Sequence, residues 1–277
     1  MVRARKRFGQ HFLEPAWVAK LVAAIAPQPT ERFIEIGPGR GAITGPLAAR
    51  ADWLVAVEVD RDLAARLEGR GLRNVTVVTG DVLDIDLVAI ARTFGPALWS
   101  AEASATAEAP PIRLVGNLPY NISTPILFKL LEASTSGLFK DATLMLQKEV
   151  ADRLIAKPGT GDYGVLTISA MMRADAVRLL ELPPGAFRPA PKVRSSVVRL
   201  DFRPPPAEVT TPELLVDIVR SVFTQRRKTI SNALAPFASA RGRAAREALA
   251  AAGLDPSRRP ETLTLAEYAR LATALGR

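Results

Sequence analysis

Between Arg32 and Gln147 short apolar runs alternate with stretches in which apolar residues recur every three or four positions. RFIEI (32–36), WLVAVE (53–58), NVTVVT (74–79), IRLVGN (112–117) and ATLMLQ (142–147) are rich in Val, Ile and Leu and apolar on both faces. That is the pattern of strands buried inside a parallel sheet. Ala42–Arg50, Arg61–Gly69 and Thr124–Ala133 carry helical spacing between them. Repeated β-α-β units predict an α/β fold with a doubly wound sheet and right-handed crossovers. In such sheets ligands sit beyond the carboxyl ends of the strands, so the chemistry is sought there. Val165–Met172 and Ser195–Phe202 read as two further strands. Arg203-Pro204-Pro205-Pro206 cannot extend a ladder, because proline has no N–H to donate. A boundary is therefore expected there, with a first domain over 1–205 and a small all-helical domain over 206–277. Its helices are predicted at Pro212–Thr224, Thr229–Ala235, Arg243–Ala252 and Thr264–Leu275. Pro96–Pro111, rich in Ala, Glu, Ser and Pro, reads as a surface insertion.

Composition narrows the chemistry. The chain has no cysteine, which excludes disulfides, thiolate metal sites and cysteine nucleophiles, and its only histidine is His11. A zinc or histidine-based catalytic site is therefore not expected, and no metal is. No apolar run approaches the roughly eighteen residues a membrane span needs. The best one, Val18–Ala26, is broken by Lys20 and ends at Pro27. A soluble, cytoplasmic protein is the expectation. Charge is unevenly placed: residues 1–13 hold four basic side chains and no acid, 14–185 hold 17 basic and 20 acidic, and 186–277 hold 16 basic and 8 acidic. Two basic ends around a near-neutral middle suggest a polyanion gripped at the termini, although a solvated basic surface gives the same count.

Glu35-Ile36-Gly37-Pro38-Gly39-Arg40-Gly41 lies where the first long strand gives way to a helix. Glycines there let backbone approach a ligand without a Cβ in between, though a tight turn needs them too. Two acids add to the signal. Glu58 ends the next strand, 21 residues after Gly37, where an acid can accept hydrogen bonds from both ribose hydroxyls. Asp81 ends the third, where it can accept from an adenine amine while the Val82 N–H donates to the ring. Together they outline an adenosine pocket. The loop also fits the dinucleotide pattern G-x-G-x-x-A, but no proton donor for hydride chemistry accompanies it.

The fourth strand ends in Asn117-Leu118-Pro119-Tyr120. The amine of adenine is a poor nucleophile, since its lone pair is delocalised into the ring. Two neutral acceptors that draw its hydrogens out of plane would help, and the Asn117 side-chain oxygen and Leu118 carbonyl can supply them. Pro119 fixes the turn, and Tyr120 offers a flat face for the base, worth about 1–3 kcal/mol. Catalysis would rest on positioning and electrostatics, without a general base.

The chain resembles the KsgA/RsmA family, the 16S rRNA adenine dimethyltransferases. The resemblance rests on RFGQHFL (7–13), EIGPGRGAIT (35–44), EVD (58–60), GDVL (80–83), GNLPYNISTPI (116–126), LQKEVADRL (146–154), FRPAPKVRSSVVRL (187–200) and FTQRRKTISNAL (223–234). It implies a Rossmann-like class I S-adenosylmethionine-dependent methyltransferase sheet with a small helical C-terminal domain. It also implies that the GQHFL arm closes over S-adenosylmethionine, with His11 and Leu13 touching it beside Gly37, Gly39, Glu58, Asp81, Val82 and Asn117. Phe187 matches the aromatic that stacks on the target base opposite Tyr120. The implied substrate is a pair of adjacent adenosines in a hairpin loop near the 3′ end of 16S rRNA, within a pre-30S particle, and the implied state is a monomer. Arg188, Lys192 and Arg194 beside Phe187, and Arg226, Arg227 and Lys228 on the first helical segment of the second domain, are candidate phosphate contacts. Two relatives of this scheme stay open: a 23S rRNA methyltransferase of the erythromycin-resistance type, and a non-catalytic RNA-binding assembly or transcription factor.

Overall fold

The computed structural model describes residues 11–94 and 111–276. The basic residues Arg3, Arg5, Lys6 and Arg7, and the expected insertion apart from Pro111, lie outside them. The described chain begins with a short strand, β1 (Phe12–Leu13), and a helix, α1 (Pro15–Ile25), opened by a proline at its first turn. Then β2 (Arg32–Ile36), α2 (Thr44–Ala48), β3 (Trp53–Glu58), α3 (Arg61–Glu68), β4 (Val75–Thr79) and α4 (Leu87–Phe94) alternate. They are followed by β5 (Ile112–Asn117), α5 (Ser123–Ala133), β6 (Phe139–Gln147) and α6 (Lys148–Leu154). Last come α7 (Val165–Met171), β7 (Ala174–Leu182), β8 (Phe187–Arg188), β9 (Ser195–Phe202) and the helices α8 (Pro212–Phe223), α9 (Ile230–Ser239), α10 (Ala245–Ala251) and α11 (Leu265–Gly276).

Seven strands form one sheet in the order β4-β3-β2-β5-β6-β9-β7. β2 pairs in parallel with both β3 and β5, and β9 runs antiparallel to β6. The mixed sheet and its flanking helices make the α/β fold expected. Several bounds differ, each for a local reason. β6 starts three residues before the expected Ala142, because Asp141 is buried and its carboxylate takes the Arg113 Nε–H at 2.9 Å. The polar Lys140-Asp141 pair interrupts the apolar run in the sequence. α2 is shorter than Ala42–Arg50, since the glycine turn reaches Gly41 and Pro46 follows closely. α9 runs on through Pro236 to Ser239 rather than stopping at Ala235.

One expected strand is wrong. Val165–Met172 is helical: Gly164 stands at its start in extended backbone, and its N–H donates to the Thr167 hydroxyl at 3.2 Å. A short apolar run buried on all sides has no periodicity that separates strand from helix. The strand lies just beyond, in β7, where ADAVRLLEL alternates half-exposed positions and carries an Arg178–Glu181 ion pair on the sheet edge.

The chain divides into two compact units. One runs up to Ala151 and resumes over Val177–Phe202; the other holds Asp152–Ala176 and continues from Arg203. The expected split at 205/206 therefore misplaces 152–176, which clusters with the helical unit. There Ile168 and Met172 join Leu215, Ile218, Leu234 and Leu271 in one core. Two buried tyrosines satisfy their hydroxyls on backbone, Tyr163 on the Leu263 carbonyl (2.9 Å) and Tyr268 on the Pro260 carbonyl (2.7 Å).

The amino ends of the central strands are clamped by charge. Arg113, buried, binds Asp141 through Nε and Glu31 through Nη1 at 2.7 Å, and Glu31 also holds Lys140 at 3.0 Å. Removing one partner strands the others in a dry setting. Arg113→Ala is expected to lower unfolding stability by about 3–5 kcal/mol in urea titration, whereas Arg113→Leu combined with Asp141→Leu should cost markedly less.

Candidate active site

The chain winds outward from β2 through β3 and β4, then returns to β5 on the other side of β2. Carboxyl ends diverge at such a switch point, and a ligand crevice opens there. The register Ile36↔Gly116 brings the loop after β2 beside the end of β5. Any side chain at 116 would collide with it, since a Cβ there would lie 2.8 Å from the Ile36 carbonyl oxygen. Beyond Ile36 the loop uses left-handed backbone at Gly37 (φ +67°) and Gly39 (φ +57°). The Gly37 N–H donates to the Val57 carbonyl at 2.9 Å, and Arg70, just past α3, donates to the carbonyls of Arg40 and Gly41. The loop is thus tied down on both sides.

Buried Glu58, at the end of β3, accepts the Gly39 N–H through Oε2 and the Asp60 N–H through Oε1, each at 2.9 Å. Burial pushes its carboxyl above the usual carboxylate range, against the pull of those amides. Each oxygen keeps a second lone pair, enough to take a ligand hydroxyl. Asp81, half-buried, accepts the Leu83 N–H at 2.9 Å through one oxygen, and Lys129 of α5 holds the Leu83 carbonyl at 2.6 Å.

These ends enclose a cleft of about 290 Å³. His11, Leu13, Gly37, Gly39, Glu58, Asp81 and Val82 all line it, and so do Asn117, Leu118, Pro119 and Tyr120. The donor set suits a nucleoside: acceptors for two hydroxyls at Glu58, an acceptor at Asp81 for an amine, and glycines where a Cβ would crowd the space. At Gly39 that Cβ would stand 3.2 Å from the Phe12 ring. The chemistry of this donor set fits the adenosine part of S-adenosylmethionine.

Asn117 Nδ2 donates to the His11 carbonyl at 2.8 Å. A carbonyl can only accept, so this contact assigns the amide orientation, and among the described residues no donor to the Oδ1 of this cleft-lining side chain is seen. The Leu118 N–H binds the Met145 carbonyl (3.2 Å) and the Ile122 N–H binds the Pro119 carbonyl (3.1 Å), which fixes the turn. The Tyr120 hydroxyl is hydrogen-bonded to Ser195, and burial raises its phenol above the ordinary value. The His11 ring stacks on Tyr120 with centroids 5.4 Å apart and planes at 25°, and its Nδ1 donates to the Pro189 carbonyl at 2.8 Å.

The segment leading into α1 spans the site. Phe12 and Leu13 pair with Arg188 and Phe187, and the Arg40 guanidinium covers the Phe12 ring at 4.1 Å. Phe187 departs from expectation. It is completely buried, packed with Leu13 and Val197, and does not line the cleft, so it presents no face to a base. Its apolar ring is better used closing the core beneath β1. Of the basic candidates in the first unit, Arg188 pairs with Glu14 and Arg194 with Glu181, each at 3.4 Å, while Lys192 is exposed. In the second unit Arg226, Arg227 and Lys228 lie in the turn between α8 and α9, not on a helix. Arg226 donates to the Thr160 and Gly161 carbonyls, so it braces a loop, whereas Arg227 and Lys228 are exposed.

Arg70, Lys129 and Ser195 were not foreseen. Nothing in their sequence neighbourhood marks a residue that reaches across 29 or 46 positions to a carbonyl. Gly116 was not singled out either, although a lone glycine inside an apolar strand signals close backbone approach.

Glu35, in β2, is buried, and neither carboxyl oxygen has a hydrogen-bond partner among the described residues. Burial pushes its carboxyl up to about 7; the Thr44 hydroxyl nearby tempers the shift without hydrogen-bonding geometry, Glu58 adds to it, and Arg70 opposes it.

Residues 1–275 match the family described as ribosomal RNA adenine dimethylase. A "Ribosomal RNA small subunit methyltransferase A" of Aromatoleum aromaticum is 45% identical over 271 residues, covering 96% of this chain and 92% of the relative. One of the same name from Acinetobacter baylyi is 43% identical over 273 residues, covering 97% and 91%. Among solved structures, a dimethyladenosine transferase from Plasmodium falciparum superposes with a TM-score of 0.73 at 23% identity, covering 94% of this chain and 96% of that one. The 23S rRNA methyltransferase ErmE gives 0.66 at 26%, covering 96% and 100%. The fold is thus that of the class I S-adenosylmethionine-dependent methyltransferases.

Glu35 yields a pH prediction. Its folded carboxyl holds its proton to about 7 while the unfolded chain ionises near 4.5, so its stability contribution is full below 4.5 and is lost as pH rises through 7. Glu35→Gln cannot ionise. Relative to wild type it is expected to gain up to about 3 kcal/mol between pH 4 and pH 8 in paired denaturant titrations. Parallel pH curves would show that Glu35 is not the responsible group.

Proposed function

The chain belongs to the ribosomal RNA adenine dimethylase family, and we propose that it methylates N6 of two adjacent adenosines in the hairpin loop near the 3′ end of 16S rRNA. It does so as an S-adenosylmethionine-dependent enzyme, acting as a monomer on a pre-30S particle in the cytoplasm. Among the described residues no helix is long and apolar enough to cross a membrane.

The observation that carries this reading is the polarity of Asn117. One N–H of its amide goes to the His11 carbonyl, which identifies the other terminus as the oxygen, on a residue that lines the cleft. That oxygen and the Leu118 carbonyl accept the two hydrogens of the adenine amine and draw them from the ring plane, which localises the lone pair on nitrogen. A neutral amide suits the task, since it accepts without becoming a base. S-adenosylmethionine, when bound, supplies an electrophilic methyl group. Glu58 and Asp81 orient it by hydrogen bonds, the glycine loop lets it lie against backbone, and Tyr120 gives the base a flat platform. The rate gain comes from positioning and preorganised dipoles. A looped-out base reaches such a pocket at less cost than one in a duplex. Lys192, Arg227 and Lys228, all exposed, supply phosphate contacts.

Incubation with tritiated S-adenosylmethionine is expected to label the 16S rRNA of unmethylated 30S particles and not 50S particles; label confined to 50S would favour the 23S alternative. Asn117→Ala should lower kcat about 100-fold or more while calorimetric affinity for S-adenosylmethionine stays within a few-fold. Arg227→Ala with Lys228→Ala should reduce the slope of log K against log salt for RNA binding by about 1–2, measured by filter binding. An unchanged slope would make that turn a merely solvated surface.

A further inference from the structure

The face of Tyr120 that a target base needs is already covered. The His11 imidazole lies on it, with centroids 5.4 Å apart and planes 25° from parallel. Three features show a deliberate seat rather than a side chain resting in solvent. Nδ1–H is held by the Pro189 carbonyl at 2.8 Å, the residue's own carbonyl takes the Asn117 amide at 2.8 Å, and the ring lines the same cleft as Asn117 and Tyr120. Residue 11 also stands one position before β1, whose pairing starts at Phe12↔Arg188. The ring can therefore swing out while Phe12 and Leu13 stay paired and the His11 carbonyl keeps its hold on Asn117.

Resting on the adenine-N6 reading above, we propose that the His11 ring is a stand-in for the target base: it fills the Tyr120 platform in the free protein and is exchanged for adenine when RNA binds. A flat heteroaromatic ring with one anchored N–H satisfies the platform while no base occupies it. An entering base must outbid it. Adenine can, because it combines a larger stacking surface with an amine that both Asn117 and Leu118 can receive. A base without an exocyclic amine at that position offers stacking alone. His11 is thus a positioning and selectivity residue, acting through Tyr120, and takes no part in bond making.

The chain's single histidine makes this directly observable in tag-free protein. In the free protein the imidazole carbon-bound protons should resonate upfield, shielded by the Tyr120 ring. Saturation with a hairpin RNA carrying the two adenosines, in the presence of S-adenosylhomocysteine so that no turnover occurs, should move them to ordinary histidine positions. With S-adenosylhomocysteine saturating the adenosine pocket at Glu58 and Asp81, His11→Ala should bind free adenosine about three- to tenfold more tightly by calorimetry, the range that loss of one competing aromatic pair predicts. His11→Phe should not, since it keeps a ring on the platform. Imidazole signals that stay shielded in the RNA-saturated protein, or a His11→Ala variant that binds adenosine no better than wild type, would overturn the proposal. Failure of the functional reading would look different: 30S particles would take up no label, whatever the histidine signal does.

Discussion

The site exists because two parallel strands come closer than side chains normally allow. At the switch point Gly116 lies against the Ile36 carbonyl, so the turn after β2 and the end of β5 share one crevice. With the two backbones in register, Gly37 and Asn117 become neighbours, although 80 positions separate them in the chain. The rest follows from that contact: the glycine loop is bound to Glu58 and Arg70, and the Asn-Leu-Pro-Tyr turn is fixed by Met145 and Ser195.

A second dependence links the residues before α1 to both halves of the crevice. Phe12 lies against Gly39 and beneath Arg40, while the His11 carbonyl holds Asn117. One short segment thus touches the loop that suits an adenosine and the amide that suits an adenine amine. Loss of its docking would disturb both functions at once, which explains how so small a strand as β1 can matter. Phe187 and Leu13 give it an apolar footing, and Glu14 closes it with a hydrogen bond from its N–H to the Ala186 carbonyl at 2.9 Å.

Much of this was legible in the sequence, for physical reasons. Strands buried on both faces announce themselves as unbroken Val, Ile and Leu runs, and punctuation at their ends located Gly37, Glu58, Asp81 and Asn117. Where a polar residue was rescued by a distant partner the pattern failed: Asp141 belongs to β6 only because Arg113 reaches it. Val165–Met172 was misread because a helix buried nearly all round has no polar face to betray its period. Phe187 was assigned a surface role on family pattern, and the core claimed it. Arg226 shows the same limit for charge, since composition cannot tell a guanidinium that braces Thr160 and Gly161 from one that meets a phosphate.

β5 is six residues long and carries opposite demands at its two ends. Arg113 opens it inside a dense ionic clamp, and Asn117 closes it at a crevice where glycine and left-handed backbone are tolerated. Rigidity and reactivity are therefore segregated along one axis, roughly a strand length apart. For anyone seeking a hardier version of this enzyme, the amino edge of the sheet is the place to reinforce, because changes there can deepen the fold's free-energy well without stiffening the pocket that must admit a flipped nucleotide.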